Sequence, residues 1–117
     1  MQDAASKWVD LRVETRYGFR TPIEVQVNGA ASQLCDLSPG GCQLLSATML
    51  KPNQTVKVSL PSDPKSLICS GKIVWDKLEA PALGRPAGYR AGVQFVRADR
   101  SAIDAFIARR GGAALPG

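Results

Sequence analysis

Hydrophobic and polar residues alternate one by one through most of the chain after Pro22. In the clearest run, Ile23, Val25 and Val27 alternate with Glu24 and Gln26. A period of two is the spacing of a β-strand with one buried face. Continued along the chain, the pattern predicts six strands, at Ile23–Val27, Ala30–Cys35, Gly41–Ser46, Thr55–Leu60, Leu67–Trp75 and Tyr89–Val96.

Turn-forming residues separate these runs. Asn28-Gly29 combines two residue types that tolerate positive φ, which favours a tight two-residue hairpin. The segment 61–64 contains two prolines and is expected to turn, as is the loop 78–88. Gly71 lies within the fifth run, on the face shared by Cys69 and Ile73, where it favours a bend or a bulge.

The period changes near the end of the chain. Ile103, Phe106 and Ile107 are three and four residues apart, so they share one helical face. Asp99 is the expected N-cap and Gly111 the expected stop signal. A helix of about three turns needs packing against a sheet to persist.

Six short antiparallel strands and one helix predict a mostly β protein, a six-stranded antiparallel β-barrel with a C-terminal α-helix. Closing the sheet removes exposed strand edges, and the helix is expected to plug or flank one opening of the barrel. The 117 residues suit one domain. We expect an N-terminal arm or linker at 1–15, the barrel and helix at 16–110, and a flexible tail at 111–117.

The composition of the chain limits the kinds of function that it can have. The net charge of +5 suits an anionic partner but does not identify one. The chain has no histidine, no Ser-His-Asp set, no metal-ligand cluster and no Walker loop, so we expect neither an enzyme nor a metal site. The cysteines, at 35, 42 and 69, suit reduced thiols, although a Cys35–Cys42 disulfide stays open. No apolar run approaches about 18 residues, and no signal peptide is evident, so we expect a cytoplasmic protein.

Two polar clusters are candidates for ligand binding. Arg16 and Arg20 flank Gly18 just before the first predicted strand. A guanidinium binds phosphate bidentately, reads the O6/N7 edge of guanine and stacks on purines. Arginine pairs with this spacing are usually only surface charge, and the pair gains weight from the second cluster.

That second cluster is the run 36–41. An aspartate carboxylate accepts hydrogen bonds from the N1 and N2 donors of guanine, and Asp36 and Ser38 are two residues apart, so an extended backbone places them on one side. Gly40 and Gly41 allow close backbone approach. Taken alone, this run is ordinary turn chemistry.

Together the clusters resemble the PilZ domain, whose signature is Arg-x-x-x-Arg followed by [Asp/Asn]-x-Ser-x-x-Gly. Arg16 and Arg20 match the first part, and Asp36, Ser38 and Gly41 match the second. The runs 71–75 and 88–95 also look like later strands of that family. The resemblance covers about 16–109.

The resemblance implies a PilZ-like split barrel whose ligand is the bacterial second messenger cyclic di-GMP. Arg16 and Arg20 would clasp the ligand from a mobile segment, and Asp36, Ser38 and Gly41 would lie beneath one guanine. Arg12-x-x-x-Arg16 is a competing register; we prefer Arg16/Arg20 because Arg20 abuts the first strand, as in the family.

Other residues have secondary roles in this hypothesis. Arg12 and Gly40 are possible additional ligand contacts, and Thr15, where an arginine accompanies an intercalated ligand dimer in the family, favours a single bound ligand. Trp75 is in phase with Ile73, so packing in the core or at the barrel end is its first expectation and contact with the ligand its second. Tyr89 and Phe95 are also expected in the core.

The leading functional hypothesis is a non-enzymatic receptor or adaptor for cyclic di-GMP, with no other cofactor. It would act on a downstream protein partner or a neighbouring domain, without DNA and without membrane insertion. The main alternative is a PilZ-like interaction scaffold whose nucleotide site is unused. A basic nucleic-acid-binding barrel ranks third, since it needs exposed basic and aromatic residues along a sheet face.

Overall fold

The computed structural model describes residues 14–83 and 87–116. They form eight strands and one helix: β1 (Tyr17–Gly18), β2 (Ile23–Val27), β3 (Ala30–Ser38), β4 (Gly41–Ser46), β5 (Thr55–Leu60), β6 (Leu67–Glu79), β7 (Gly88–Arg97), α1 (Arg100–Arg109) and β8 (Ala113–Ala114). The expected arm at 1–15 falls mostly outside the described residues. Within them, no helix is both long enough and apolar enough to cross a membrane.

The six long strands close into an antiparallel barrel. They pair in the order β2, β5, β6, β7, β4 and β3, and β2 pairs again with β3 to complete the ring. The predicted mostly β fold, a six-stranded barrel with a C-terminal helix, is therefore confirmed. Two strands run further than predicted, because β3 continues to Ser38 and β6 to Glu79.

The hairpin between β2 and β3 forms as its sequence predicts. Asn28 and Gly29 have φ of 52° and 87°, the backbone region that this dipeptide favours. The side chain of Asn28 also accepts a hydrogen bond from the Lys57 amide at 2.8 Å, which joins the turn to β5. This turn sets the pairing of Ile23 with Leu34, and both side chains are buried.

Alternating apolar residues of the strands fill the barrel, and the apolar face of α1 packs against them. Ile103, Phe106 and Ile107 are all buried in this core. The side chain of Asp99 caps the helix by accepting a hydrogen bond from the Ala102 amide at 3.1 Å. Gly111 follows the helix with φ of 67°, so the predicted cap and stop are both confirmed.

The segment expected to be a tail contains a short strand. Ala113 and Ala114 of β8 pair with Gly18 and Tyr17 of β1, and Tyr17 pairs in turn with Leu37 of β3. The amide of Leu115 donates a hydrogen bond to the carbonyl of Arg16 at 2.8 Å. The C-terminal segment is thus hydrogen-bonded to the segment that carries the candidate arginines.

Candidate functional site

A bulge in β3 positions the acidic half of the candidate site. The pairing of β3 with β4 slips between Leu34 and Asp36, so Cys35 is the extra residue. The slip reverses the inside–outside phase of the strand. Leu34 and Leu37 both reach the core, three residues apart, while Asp36 and Ser38 lie on the other face beside a surface pocket.

A second bulge, in β6, corrects the prediction for Trp75. The pairing of β6 with β7 slips between Ile73 and Trp75, so Ile73 faces Val93 while Trp75 faces Gly92. Trp75 therefore leaves the core phase, is 37% exposed and lines the same pocket as Asp36. Periodicity predicted Trp75 in the core or at the barrel end, beside Ile73. The core position is wrong, because the bulge changes the phase of the strand and the composition carries no marker for it. The irregularity expected at Gly71 is confirmed by a slip between Ser70 and Gly71.

Two glycines allow the strands to approach closely beneath this pocket. A Cβ at Gly41 would lie 2.3 Å from the carbonyl oxygen of Val93, closer than any side chain tolerates. A Cβ at Gly92 would lie 2.3 Å from Nε1 of Trp75, so the absence of a side chain there lets the indole lie against the backbone. Gly40 accepts a hydrogen bond from the amide of Phe95 at 2.9 Å.

The pocket has a volume of about 800 Å³ and collects most of the candidate residues. Of those proposed from the sequence, it is lined by Arg16, Asp36, Ser38, Gly40, Gly41 and Trp75. Its size and mixed polar and apolar walls suit a small-molecule ligand. Arg16 of the first motif and Asp36 of the second, 20 residues apart in the sequence, therefore meet at one place on the surface.

Arg16 and Asp36 form the charged centre of the pocket. Nε of Arg16 is 3.7 Å from Oδ2 of Asp36, and the two side chains are 51% and 7% exposed. The other carboxylate oxygen, Oδ1, is buried and has no hydrogen-bond partner among the described residues. A buried acceptor without a donor is costly, so this atom adds to the free-energy cost of burying the Asp36 carboxyl.

The structure does not place all of the predicted arginines at the pocket. Arg20 is exposed and lies outside the lining of the pocket, so the described structure does not bring it together with Arg16. Arg12 falls outside the described residues. The role of Arg20 and the choice between the two registers therefore stay predictions.

Several lining residues escaped the sequence analysis. Gln43, opposite Asp36, and Gln94, opposite Gly41, add amide groups, while Leu115 adds an apolar wall. Tyr89 and Phe95, expected in the core, are only half-buried, although Phe95 packs against it. The three cysteines are free thiols, with Cys42 and Cys69 buried.

Burial makes Asp36 harder to ionise in the folded protein. Desolvation raises the pKa of this carboxyl above its ordinary value, while the charge of Arg16 and the backbone amide of Gln43 act in the opposite direction. The folded protein therefore holds this proton to higher pH than the unfolded chain does. It follows that Asp36 lowers the stability as pH rises through its folded pKa, and the cost persists above that window.

Replacing Asp36 by asparagine removes this cost. We expect Asp36→Asn to raise the free energy of unfolding by about 1 kcal/mol at neutral pH, because the buried charge is lost and the shape is kept. The gain should vanish well below the ordinary aspartate pKa of about 3.9, where the wild-type carboxyl is protonated in both states. Urea unfolding at the two pH values measures it. Glu24→Gln, on the exposed face of β2, is the control, and a pH-independent effect of Asp36→Asn would contradict this account.

Comparison with known proteins agrees with this geometry. A family model described as the PilZ domain matches residues 10–109. The search of curated proteins found no match. Among solved structures, the fold is similar to the PilZ domain with c-di-GMP of YcgR from Escherichia coli. The TM-score is 0.68 and the identity 13%, over 86% of this chain and 91% of that one.

A second similar structure is the Bacillus subtilis inhibitor of motility MotI/DgrA, with a TM-score of 0.63 and 11% identity. The match covers 86% of this chain but 50% of that protein, so this chain spans half the length of MotI. At these identities the structures show a shared fold. The family match, which extends over most of the chain, shows more: the chain belongs to the PilZ domain family.

Proposed function

We propose that this PilZ domain is a non-enzymatic receptor for cyclic di-GMP, which binds in the pocket between Arg16, Asp36, Ser38 and Trp75. The observation that carries the proposal is that Arg16 of the first family motif meets Asp36, Ser38 and Gly41 of the second at one pocket of about 800 Å³. A relative with the same fold, the PilZ domain of YcgR, has been solved with c-di-GMP. PilZ domains are regulatory receptors, which agrees with a binding role.

The proposed recognition follows from the groups in the pocket. The buried carboxylate of Asp36 accepts hydrogen bonds, and guanine offers donors at N1 and N2 that would satisfy its unpartnered Oδ1. Arg16 is half-exposed, so its guanidinium can leave Asp36 and pair with a phosphate or with the O6/N7 edge. The indole of Trp75 offers a flat surface at the rim.

The adaptor part of the proposal rests on the strand pair β1–β8. Only two residues on each side form this pair, so a movement of the Arg16 segment breaks few hydrogen bonds. Bringing Arg20 to the ligand requires such a movement, because Arg20 now lies outside the pocket. We propose that ligand binding shifts the population of this segment and, through β8, alters how the domain contacts a downstream protein or a neighbouring domain.

The proposed setting is the cytoplasm. Three free thiols suit a reducing compartment. The MotI relative is an inhibitor of motility, and motility is accordingly one process that such an adaptor could control.

Calorimetric titration of cyclic di-GMP into the wild-type protein tests the proposal, with GTP as the control ligand. We expect saturable binding of about one ligand per chain, as Thr15 before the motif favours, and no saturable heat from GTP. GTP has one guanine and a linear triphosphate, so it lacks the second guanine and the ring with two phosphates that the pocket would contact. If a folded sample shows no binding heat with cyclic di-GMP, the receptor proposal is wrong, and the alternative of a protein-interaction scaffold is favoured.

A further inference from the structure

A carboxylate of the protein already occupies the polar end of the pocket. Glu14 lines the pocket, and its Oε1 lies 3.3 Å from the hydroxyl of Ser38, which can donate its one hydrogen either to Glu14 or to the carbonyl oxygen of Gly41, also at 3.3 Å. Its Oε2 accepts a hydrogen bond from Nη2 of Arg100 and forms an ion pair with it. One carboxylate therefore bridges a residue of the second motif and the first residue of α1.

The pocket shields this bridge only in part. The side chain of Glu14 is 17% exposed and that of Arg100 is 62% exposed. Arg100 lies just outside the lining and reaches the pocket through Glu14. An ion pair that is partly exposed to solvent contributes little to folding stability, so a competing anion can replace the Glu14 carboxylate at low cost.

The donors around Glu14 suit a ligand anion. A hydroxyl and a guanidinium, from Ser38 and Arg100, can both donate to the same forked acceptor. Phosphate presents the same kind of forked, charged oxygen pair to a guanidinium as a carboxylate does. An anion that enters the pocket meets Glu14 as a like charge, so it must either displace Glu14 or bind against its repulsion.

We propose that Glu14 is an internal substitute for a ligand phosphate, and that Arg100 is a phosphate-binding residue outside both family motifs. In the free protein, Glu14 holds Ser38 and Arg100. When cyclic di-GMP binds, a phosphate oxygen replaces the carboxylate beside Arg100, and Ser38 becomes available to the ligand. This inference rests on the proposed function, and it predicts that Glu14 weakens binding whereas Arg100 strengthens it.

The test is a double-mutant cycle in which cyclic di-GMP is titrated by calorimetry into wild type, Glu14→Gln, Arg100→Gln and the double variant. Glu14→Gln should bind about threefold to tenfold more tightly, and Arg100→Gln about threefold to tenfold more weakly. The gain from Glu14→Gln should be clearly smaller in the Arg100→Gln background, because the ion pair is then already absent and only the repulsion between Glu14 and the ligand remains.

Matched controls separate this effect from net charge. Glu24→Gln removes a carboxylate from the exposed face of β2, and Arg109→Gln removes an arginine from the last residue of α1, nine residues from Arg100. Both should leave the dissociation constant within about twofold. Thermal unfolding of each variant checks that the fold is intact.

The outcomes separate the inference from the proposed function. If wild type binds and Glu14→Gln binds equally or more weakly, or if the two changes are additive, the inference is overturned and the receptor function stands. Binding by Glu14→Gln alone would support the inference, because the carboxylate then blocks the pocket completely. If neither folded protein binds, both the inference and the receptor function fail.

Discussion

Phe106→Ala is expected to lower the free energy of unfolding by about 3–5 kcal/mol, the usual cost of deleting a buried phenyl ring. Phe106 is 1% exposed and lies in the core between α1 and the barrel. The ring of Phe19 meets it edge-on with centroids 6.4 Å apart, and the guanidinium of Arg110 lies 5.2 Å from its centroid. Because α1 has only ten residues, its stability comes from this packing.

Urea unfolding followed by circular dichroism measures this loss. Val96→Ala is the matched control, since Val96 is an exposed apolar residue of β7 and its truncation should cost less than about 0.5 kcal/mol. If Phe106→Ala does not fold, Phe106→Leu should still fold with a loss of about 1–1.5 kcal/mol. A loss below about 1 kcal/mol for Phe106→Ala would mean that α1 does not complete the core.

Arg16→Ala is expected to weaken the binding of cyclic di-GMP by about tenfold to a hundredfold. A charged, bidentate hydrogen-bonding contact contributes about 1.5–3 kcal/mol. Folding should change far less, because Arg16 is half-exposed and its pairing with Asp36 at 3.7 Å is loose. Arg16→Lys should fall between wild type and Arg16→Ala, since lysine keeps the charge but loses the planar fork.

The same titration gives the role of Arg20. Arg20→Ala should also weaken binding if the segment moves to bring this residue to the ligand, and should have no effect if the segment stays where the free structure places it. Arg109→Ala, at the far end of α1, controls for the loss of one positive charge. If Arg16→Ala and Arg109→Ala weaken binding equally, the contact is only long-range electrostatics and the pocket is wrongly assigned.

Periodicity and turn chemistry predicted the barrel well, because each strand has one buried face and the tight hairpin has its preferred dipeptide. The bulges at Cys35 and Val74 could not be predicted from periodicity or turn residues. Neither residue type favours a bulge, and the phase change depends on how β4 and β7 pair with their neighbours. The core packing first expected for Trp75 was wrong for this reason, whereas its contact with the ligand, the second expectation, stays a prediction.

The candidate site was predictable where a motif carried it and not elsewhere. Asp36 and Ser38 were singled out because they match the second part of the PilZ signature, and the structure places both beside the pocket, while their contact with the ligand stays a prediction. Glu14 and Arg100 were missed, since they are 86 residues apart and meet only after the barrel closes. The β1–β8 pair was missed too, because two alanines carry no strand signal that distinguishes them from a tail.

NMR chemical-shift mapping of the 15N-labelled protein would show whether cyclic di-GMP binds at the pocket lined by Arg16 and the second motif. On titration with the ligand, we expect the largest shifts at the amides of Asp36, Ser38 and Gly41 and at the indole N–H of Trp75. The amides of Ala31, Ser32 and Ala47, which line a separate groove, should hardly move. Shifts centred on that groove, or no shifts in a folded sample at a high ligand concentration, would show that cyclic di-GMP does not bind at the pocket.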